Sequence, residues 1–470
     1  MPKGPQDLLR HIPAVEAVLQ EGSLSGWLEC APRRVVVDGV RAAVAETREL
    51  ILKSKCGGAD EAKIRATVLG LADRNIRREM TPHYRKVINA TGIILHTGLG
   101  RAVLPRTALD QICQELTGYS LLQASISTGA RDKRDGRIEA LLKQLTGCEA
   151  ATIVNNNSAA TSIVLNTVAK GREVIVSRGQ LVEIGGSFRL PDVMEASGVK
   201  LVEVGTTNKT HARDYERAIT ENTAAIMRVH PSNYKILGFT SEVPLADLEK
   251  IAHSRGLVLI DDVGAGSLID FSRFGFAYEP TLIDSVASGA DVITASADKL
   301  IGGCQGGIVL GKEAIIEAVR KNPLARIVRV DKLTLTALEA TLRLFLDEAT
   351  ALQEVPTLRM LGRPLADITA QAERIATAIN AKAPTVTVHT VDGFSQMGSG
   401  SLPGQDIPTK LVTIRSDERR PDDIARRLRA GEPPVFARIQ DDAVLLDPRT
   451  VLEGEEDSLV AAVSAALSEE

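Results

Sequence analysis

The sequence predicts an α/β protein: a mostly parallel sheet with helices on both faces, preceded by an N-terminal helical unit and followed by a small α+β unit. Three observations lead there. From Lys86 to about residue 320, short apolar runs alternate with helical patterns, as βαβ units buried on both faces require. Before that stretch the apolar residues recur only at helical spacing. The chain has 470 residues, more than one hydrophobic core usually serves. The expected divisions are 1–82, 83–330 and 331–470.

In the first unit, Leu8, Leu9, Ile12, Val15, Val18 and Leu19 fall at helical spacing, as do Val36, Val40, Ala43 and Val44. KIRATVLGLADRNIRREM gives a further amphipathic helix, and SKCGGAD breaks the pattern before it. From Lys86, KVINATGIIL is expected to open the central sheet. CEAATIVNN, REVIVSR, VKLVEVG, AAIMRVH, LVLIDDVG, ADVITASADK and GGIVLGK supply further strands, with helices between them. A long helix is expected from about Thr334 to Glu348. A helix over 365–382, strands at TVTVHTV and KLVTIRS, a helix at DDIARRLRAG and strands at VFARIQ and AVLLD then build the last unit.

Composition narrows the function. Hydrophobic residues make up 44% and charged residues 25%, ordinary for a globular protein. There is no apolar run of about 18 residues for a membrane span, and MPKGPQDLLRHIP lacks the apolar stretch of a signal peptide. The five cysteines (Cys30, Cys56, Cys113, Cys148, Cys304) are scattered, without a CxxC pair. A reduced, cytoplasmic setting is the economical expectation. The seven histidines show no metal-binding spacing, so no metal is expected. A net charge of −4 argues against a general nucleic-acid binder. Residues 1–90 carry 15 Lys and Arg against 11 Asp and Glu, a local +4. Solvated helix faces or a polyanion partner would each account for it.

In open parallel sheets, ligands sit at the carboxyl ends of strands, and four such ends carry unusual residues. TIVNNNSAATSIVL runs from a strand through Asn155, Asn156, Asn157 and Ser158 into a helix. Helix N–H groups and short polar side chains there make an anion cup, or a simple N-cap. GLVLIDDVGAGS ends a strand in Asp261 and Asp262. A carboxylate there can keep a pyridine nitrogen protonated, or merely form an Asx turn before Gly264. DVITASADKLIGGCQGG ends in Ser296, Asp298 and Lys299, followed by glycines. A desolvated lysine has a lowered pKa and a free amine for Schiff-base formation, and Ser296 is placed to reach a cofactor phosphate; a lone lysine in a loop is usually a surface charge. NATGIILHTGLGRAVLP, with His96 and Arg101, is either an anion loop or a turn. GLGRAV lacks the third Gly of a dinucleotide fingerprint. GGIVLGKE lacks the Ser/Thr of a P-loop.

Taken in order, these ends resemble the large domain of fold-type-I pyridoxal 5'-phosphate enzymes. The strings INATGIILHTGLGRA, IVNNNSAA, VSRGQLVEIGGSFRLPDVM, VEVGTTNKTHARDY, HPSNYKILGFT, DKLIGGCQGGIVLGK and RVDKLTLTALEATLRL resemble the bacterial selenocysteine synthase family, the L-seryl-tRNA(Sec) selenium transferases. The resemblance implies conversion of seryl-tRNA(Sec) and selenophosphate to selenocysteinyl-tRNA(Sec) and phosphate, through a dehydroalanyl intermediate. It implies pyridoxal phosphate on Lys299, with Asp262, Ser296, Asn157 and Ser158 around the cofactor and Asp298 as an active-site acid. It implies Arg101, Arg326 and Arg329 as binders of the selenophosphate anion, the last two at the start of one helical stretch, and a tRNA-binding N-terminal unit in a homo-oligomer, a decamer in the family. The runner-up is a related lyase acting on a small amino acid or amino-sugar phosphate without tRNA; a non-catalytic tRNA-binding relative is a third reading. The chain departs from the family at Gly98 (usually Asn), Cys304 (usually Pro), Gly306 or Gly307 (usually Ala) and throughout LLQASISTGARDKRDGR.

Overall fold

The computed structural model describes residues 5–53, 60–186, 188–384 and 386–468. Cys56 and nearly all of the SKCGGAD break lie outside them. The chain divides into two compact units, 1–86 and 87–470.

The first unit is helical: α1 (Pro5–Leu9), α2 (Val15–Leu19), α3 (Gly22–Cys30), α4 (Arg33–Leu52) and α5 (Glu61–Met80). Val36, Val40 and Ala43 of α4 pack against Val68, Ala72 and Ile76 of α5, with Val18 and Leu24 closing the core. The two long helices approach closely because Gly39 has no side chain. A Cβ there would lie 2.6 Å from Ile76 Cγ1. Asp60 caps α5 by accepting from the Lys63 N–H at 2.8 Å.

The second unit is built on a seven-stranded sheet. In chain order its strands and those around it are β1 (Ile88–Ala90), β2 (Ala150–Val154), β3 (Glu173–Ser177), β4 (Glu183–Ile184), β5 (Phe188–Arg189), β6 (Lys200–Val204), β7 (Thr223–Val229), β8 (Val258–Gly264), β9 (Val292–Ser296) and β10 (Gly307–Gly311). The large sheet runs β2-β10-β9-β8-β7-β3-β6. Only β10 is antiparallel to its neighbours. β2, β9 and β10 are buried along their whole length, as a sheet covered on both faces demands. Helices α6 (Arg106–Glu115), α7 (Gly136–Thr146) and α8 (Asn157–Ala169) follow the first strand signals.

The smaller sheet adds β11 (Thr387–Ser395), β12 (Ile407–Arg415), β13 (Val435–Gln440) and β14 (Ala443–Leu446), ordered β1-β13-β14-β12-β11. Its core forms against the helix Leu365–Lys382 through Ala372, Ile375 and Ile379. Here the sequence expectation needs correction. The KVINATGIIL strand does not open the large sheet. Its Ile88–Ala90 core pairs in parallel with Val435–Ala437 of the small sheet. An alternating apolar run shows that a strand is half-buried, but it carries no information about which sheet receives it. The long helix is Lys332–Leu344: it starts earlier than expected because Asp331 caps it, and ends earlier because the chain turns at Phe345.

Candidate active site

The carboxyl ends of β8 and β9 and the amino end of α8 converge. At the end of β9, Lys299 lies in a turn pinned on both sides: Ala297 N–H donates to Gly306 O, Gly303 N–H to Ala297 O, and Gly302 N–H to Lys299 O, each at 2.9 Å. Gly302 has φ +73, and a Cβ there would lie 2.5 Å from Val355 Cγ1, so the turn needs glycine. Lys299 is 7% exposed, and its side chain forms no hydrogen bond or ion pair among the described residues. Burial, then the Arg101 charge, lower its pKa against the opposing pull of Asp298 and Asp262. A buried ammonium without a partner is costly, and the neutral amine is the nucleophilic form.

The strand pleat separates the two neighbouring aspartates. Asp261 is clamped by Arg228 through two hydrogen bonds of 2.7 and 2.8 Å. Asp262 faces α8 instead, accepting from Asn157 Nδ2 at 2.9 Å, Thr161 Oγ1 at 2.8 Å and the Gly264 N–H at 3.0 Å. Burial pushes the Asp262 carboxyl up, and these donors oppose it. Among the described residues it has no paired cation, which a protonated ring nitrogen would provide. Asn156 caps α8 by accepting from the Ala159 N–H at 2.8 Å, leaving the Asn157 and Ser158 N–H groups without an intrahelical partner. Ser296 is buried at the end of β9. Asn157 Oδ1 and Ser232 Oγ are buried without a hydrogen-bond partner, so polar atoms are on hand for a polar group. A lysine amine, a buried carboxylate and a helix N-terminus with free N–H groups fit the amine-reactive carbon, ring nitrogen and phosphate of pyridoxal phosphate.

Arg101 joins this site. Its guanidinium donates to Asp298 Oδ2 at 2.7 Å, and its backbone sits at φ +61. A non-glycine residue there stores on the order of 1–3 kcal/mol, held here by the Arg101 N–H to His96 O bond of 2.9 Å. Among the described residues no hydrogen bond or ion pair joins Arg326 or Arg329 to Lys299, and the cavity they line does not include it. Nor do they share a helix face: Arg326 belongs to the single turn Leu324–Ile327, while Arg329 is extended and bridges Val154 of the edge strand β2. Both line a separate cavity of about 470 Å³.

Sequence reasoning missed His230 and Glu279. Their side chains meet at 3.1 Å in a cavity of about 390 Å³ that also includes Lys209, Lys235 and Gln405. Burial, with Arg228, pushes His230 down to about 4, and burial raises Glu279. Both directions favour a neutral pair. The signal was HPSNY at the carboxyl end of β7, the same edge of the sheet as Asp262 and Lys299. Among the described residues no group of three or more His, Cys, Asp or Glu is placed to hold a metal, and no helix is long and apolar enough to cross a membrane.

Residues 87–452 match the family described as L-seryl-tRNA selenium transferase, and residues 9–48 match the selenocysteine synthase N-terminal family. The chain belongs to the L-seryl-tRNA selenium transferase family. It is 46% identical over 464 residues to the L-seryl-tRNA(Sec) selenium transferase of Solidesulfovibrio magneticus, covering 98% of each chain. It is 44% identical over 447 residues to that of Alkaliphilus metalliredigens, covering 95% of this chain and 96% of the relative. Among solved structures, a D-glucosaminate-6-phosphate ammonia-lyase superposes with a TM-score of 0.56 at 22% identity, over 83% of this chain and 98% of that one. That likeness establishes the fold, an α/β large domain of fold type I with a smaller domain.

The family departures have local explanations. At Gly98 a Cβ would meet nothing nearer than the His96 ring at 3.4 Å, so the usual Asn has room. Alanine is admissible at Gly306, where a Cβ meets the end of Ile153 at 3.0 Å. It is excluded at Gly307, where a Cβ would lie 2.0 Å from Asn156 O. Cys304 packs against Ala108, Ala337 and Ala340 and donates to Thr334 O at 3.3 Å. Burial pushes its thiol up to about 12, so it is a packing residue and not a thiolate.

Proposed function

We propose that this chain converts L-seryl-tRNA(Sec) to L-selenocysteinyl-tRNA(Sec), with pyridoxal 5'-phosphate held on Lys299 and selenophosphate as the selenium donor. The observation that carries the site assignment is the buried, unpartnered Lys299 facing Asp262 across the carboxyl edge of one sheet. Family membership over nearly the whole chain supports the reaction. The ammonia-lyase likeness reaches the fold alone, so the small-substrate alternative is not favoured.

When bound, the cofactor supplies an electron sink for negative charge at the seryl Cα, which lets the β-hydroxyl leave and selenium add. This chain's residues do the rest. Lys299 Nζ, its pKa lowered by burial, is placed to take and return the Cα proton. Asp262 holds the ring nitrogen protonated, and Asn157 and Thr161 hold Asp262. The N–H groups of Asn157 and Ser158, with Ser296, receive the cofactor phosphate. Asp298 and Arg101 orient one another beside Lys299, and Arg101 presents positive charge to the incoming anion. Arg326 and Arg329 bind the selenophosphate group. Because the cavity they line does not include Lys299, the proposal also includes a homo-oligomer, a decamer by the family resemblance, acting in the cytoplasm. The helical unit 1–86 is assigned to tRNA binding, in keeping with its local positive charge.

Purified protein given seryl-tRNA(Sec), pyridoxal phosphate and selenophosphate is expected to yield selenocysteinyl-tRNA(Sec). Turnover of a free amino acid or amino-sugar phosphate, without selenium transfer to tRNA, would contradict the proposal.

A further inference from the structure

The segment LLQASISTGARDKRDGR, which departs from the family pattern, has a place in the fold. It forms a loop in which Ala124 bridges Arg131, the Ser125 N–H donates to Ala130 O at 2.9 Å and the Asp132 N–H to Gln123 O at 3.0 Å. Arg134 then ties this loop to the next wall of a cavity. Its Nη1 donates to Val330 O at 3.2 Å and its Nη2 to Gln123 Oε1 at 2.9 Å. That wall is fixed on the edge strand by Arg329 bridging Val154 and by the Asn155 N–H to Val328 O bond of 3.0 Å.

Two separate segments therefore bring Arg131, Arg134, Arg326 and Arg329 around one cavity of about 470 Å³. The side chains of Arg131, Arg326 and Arg329 form no hydrogen bond or ion pair among the described residues. The one carboxylate lining the cavity, Asp135, is already paired with Arg320 at 3.2 Å. Burial, then the charges of Arg329, Arg131 and Arg326, lower the Arg134 pKa against the opposing pull of Asp135. Four guanidinium groups around one cavity, with a single carboxylate in its lining that is already paired with Arg320, oppose folding. Planar guanidinium forks suit tetrahedral oxyanions.

We propose that Arg131 and Arg134 complete, opposite Arg326 and Arg329, a four-arginine subsite for a multiply charged oxyanion of the phosphate class. This deepens the reading of Arg326 and Arg329 as anion binders. It gives the departing loop the task of supplying the second wall.

Calorimetric titration of the cofactor-loaded protein with inorganic phosphate tests it. Arg131→Gln is the cleanest variant, because the Arg131 side chain holds nothing else in place; Arg134→Gln also releases the loop. Each is expected to weaken phosphate binding at least about tenfold, the scale of one charge-assisted contact. Arg106→Gln, on the surface of α6 and paired with Asp110 at 2.9 Å, is expected to bind phosphate as the wild type does. No phosphate binding by the wild type, or undiminished binding by Arg131→Gln, overturns the proposal. So does a loss confined to uncharged tRNA, which would mark an RNA-backbone contact instead. Phosphate binding is read without tRNA or selenium. Its failure therefore leaves the transferase reading standing, and failure of selenium transfer with phosphate binding intact does the reverse.

Discussion

At the amino end of β9, Asp291 accepts from the Leu259 N–H at 2.7 Å and the His253 ring at 3.0 Å, and pairs with Lys312 at 2.6 Å. At the carboxyl end of the same strand, Lys299 is just as buried and has no such partner, and Asn157 Oδ1 and Ser232 Oγ nearby are unsatisfied. Both ends concentrate titratable groups in a low-dielectric setting, yet only one neutralises them. A folded chain satisfies its buried polar groups wherever stability alone decides. The end left unsatisfied is where a ligand is expected to finish the pairing.

The contrast can be broken by substitution. The largest effect is expected for Lys299→Ala: conversion of seryl-tRNA(Sec) falls by on the order of 10²–10⁴-fold, while the melting temperature holds or rises, since a buried unpaired amine is removed. Activity and calorimetry on the same preparation check both. Asp262→Asn comes next. It keeps the shape but loses the charge, and about a hundredfold loss of activity is expected, with weaker cofactor retention on gel filtration.

Asp291→Asn should do the opposite, costing on the order of 1–3 kcal/mol of stability and leaving the rate per folded molecule unchanged. Burial raises the Asp291 carboxyl, but the Leu259 N–H, Lys312 and His253 outweigh it and hold the pKa below its ordinary 3.8. Its stabilisation is therefore present above that value and lost as the pH falls through the lowered one. The wild type should lose stability in that acid range, and Asp291→Asn should lose less there, as measured by denaturant midpoints. The smallest effect is expected for Cys304→Ser: within about 0.5 kcal/mol and no change in activity, because Cys304 only fills space between helices.

Much of this was legible in sequence because the chemistry sits at strand ends. An apolar run ending in Asp262 or Ser296-Ala297-Asp298-Lys299 marks both the strand and its functional edge. What resisted was pairing over long distance. Nothing in KVINATGIIL shows that Ile88–Ala90 joins a strand more than 340 residues later, because periodicity describes a face and not a neighbour. Nor does the three-residue spacing of Arg326 and Arg329 reveal that one lies within a helical turn and the other bridges β2. Nor does the sequence show that Arg228, on the adjacent strand, occupies Asp261 and leaves Asp262 to face Asn157 and Thr161.

The central claim is that Lys299 presents a buried amine that carries the cofactor. Borohydride reduction of the protein loaded with pyridoxal phosphate, followed by peptide mass mapping, tests it most directly. The pyridoxyl group is expected on the peptide containing Lys299 and nowhere else. A label on another lysine, or none on a protein that still transfers selenium, would contradict the account.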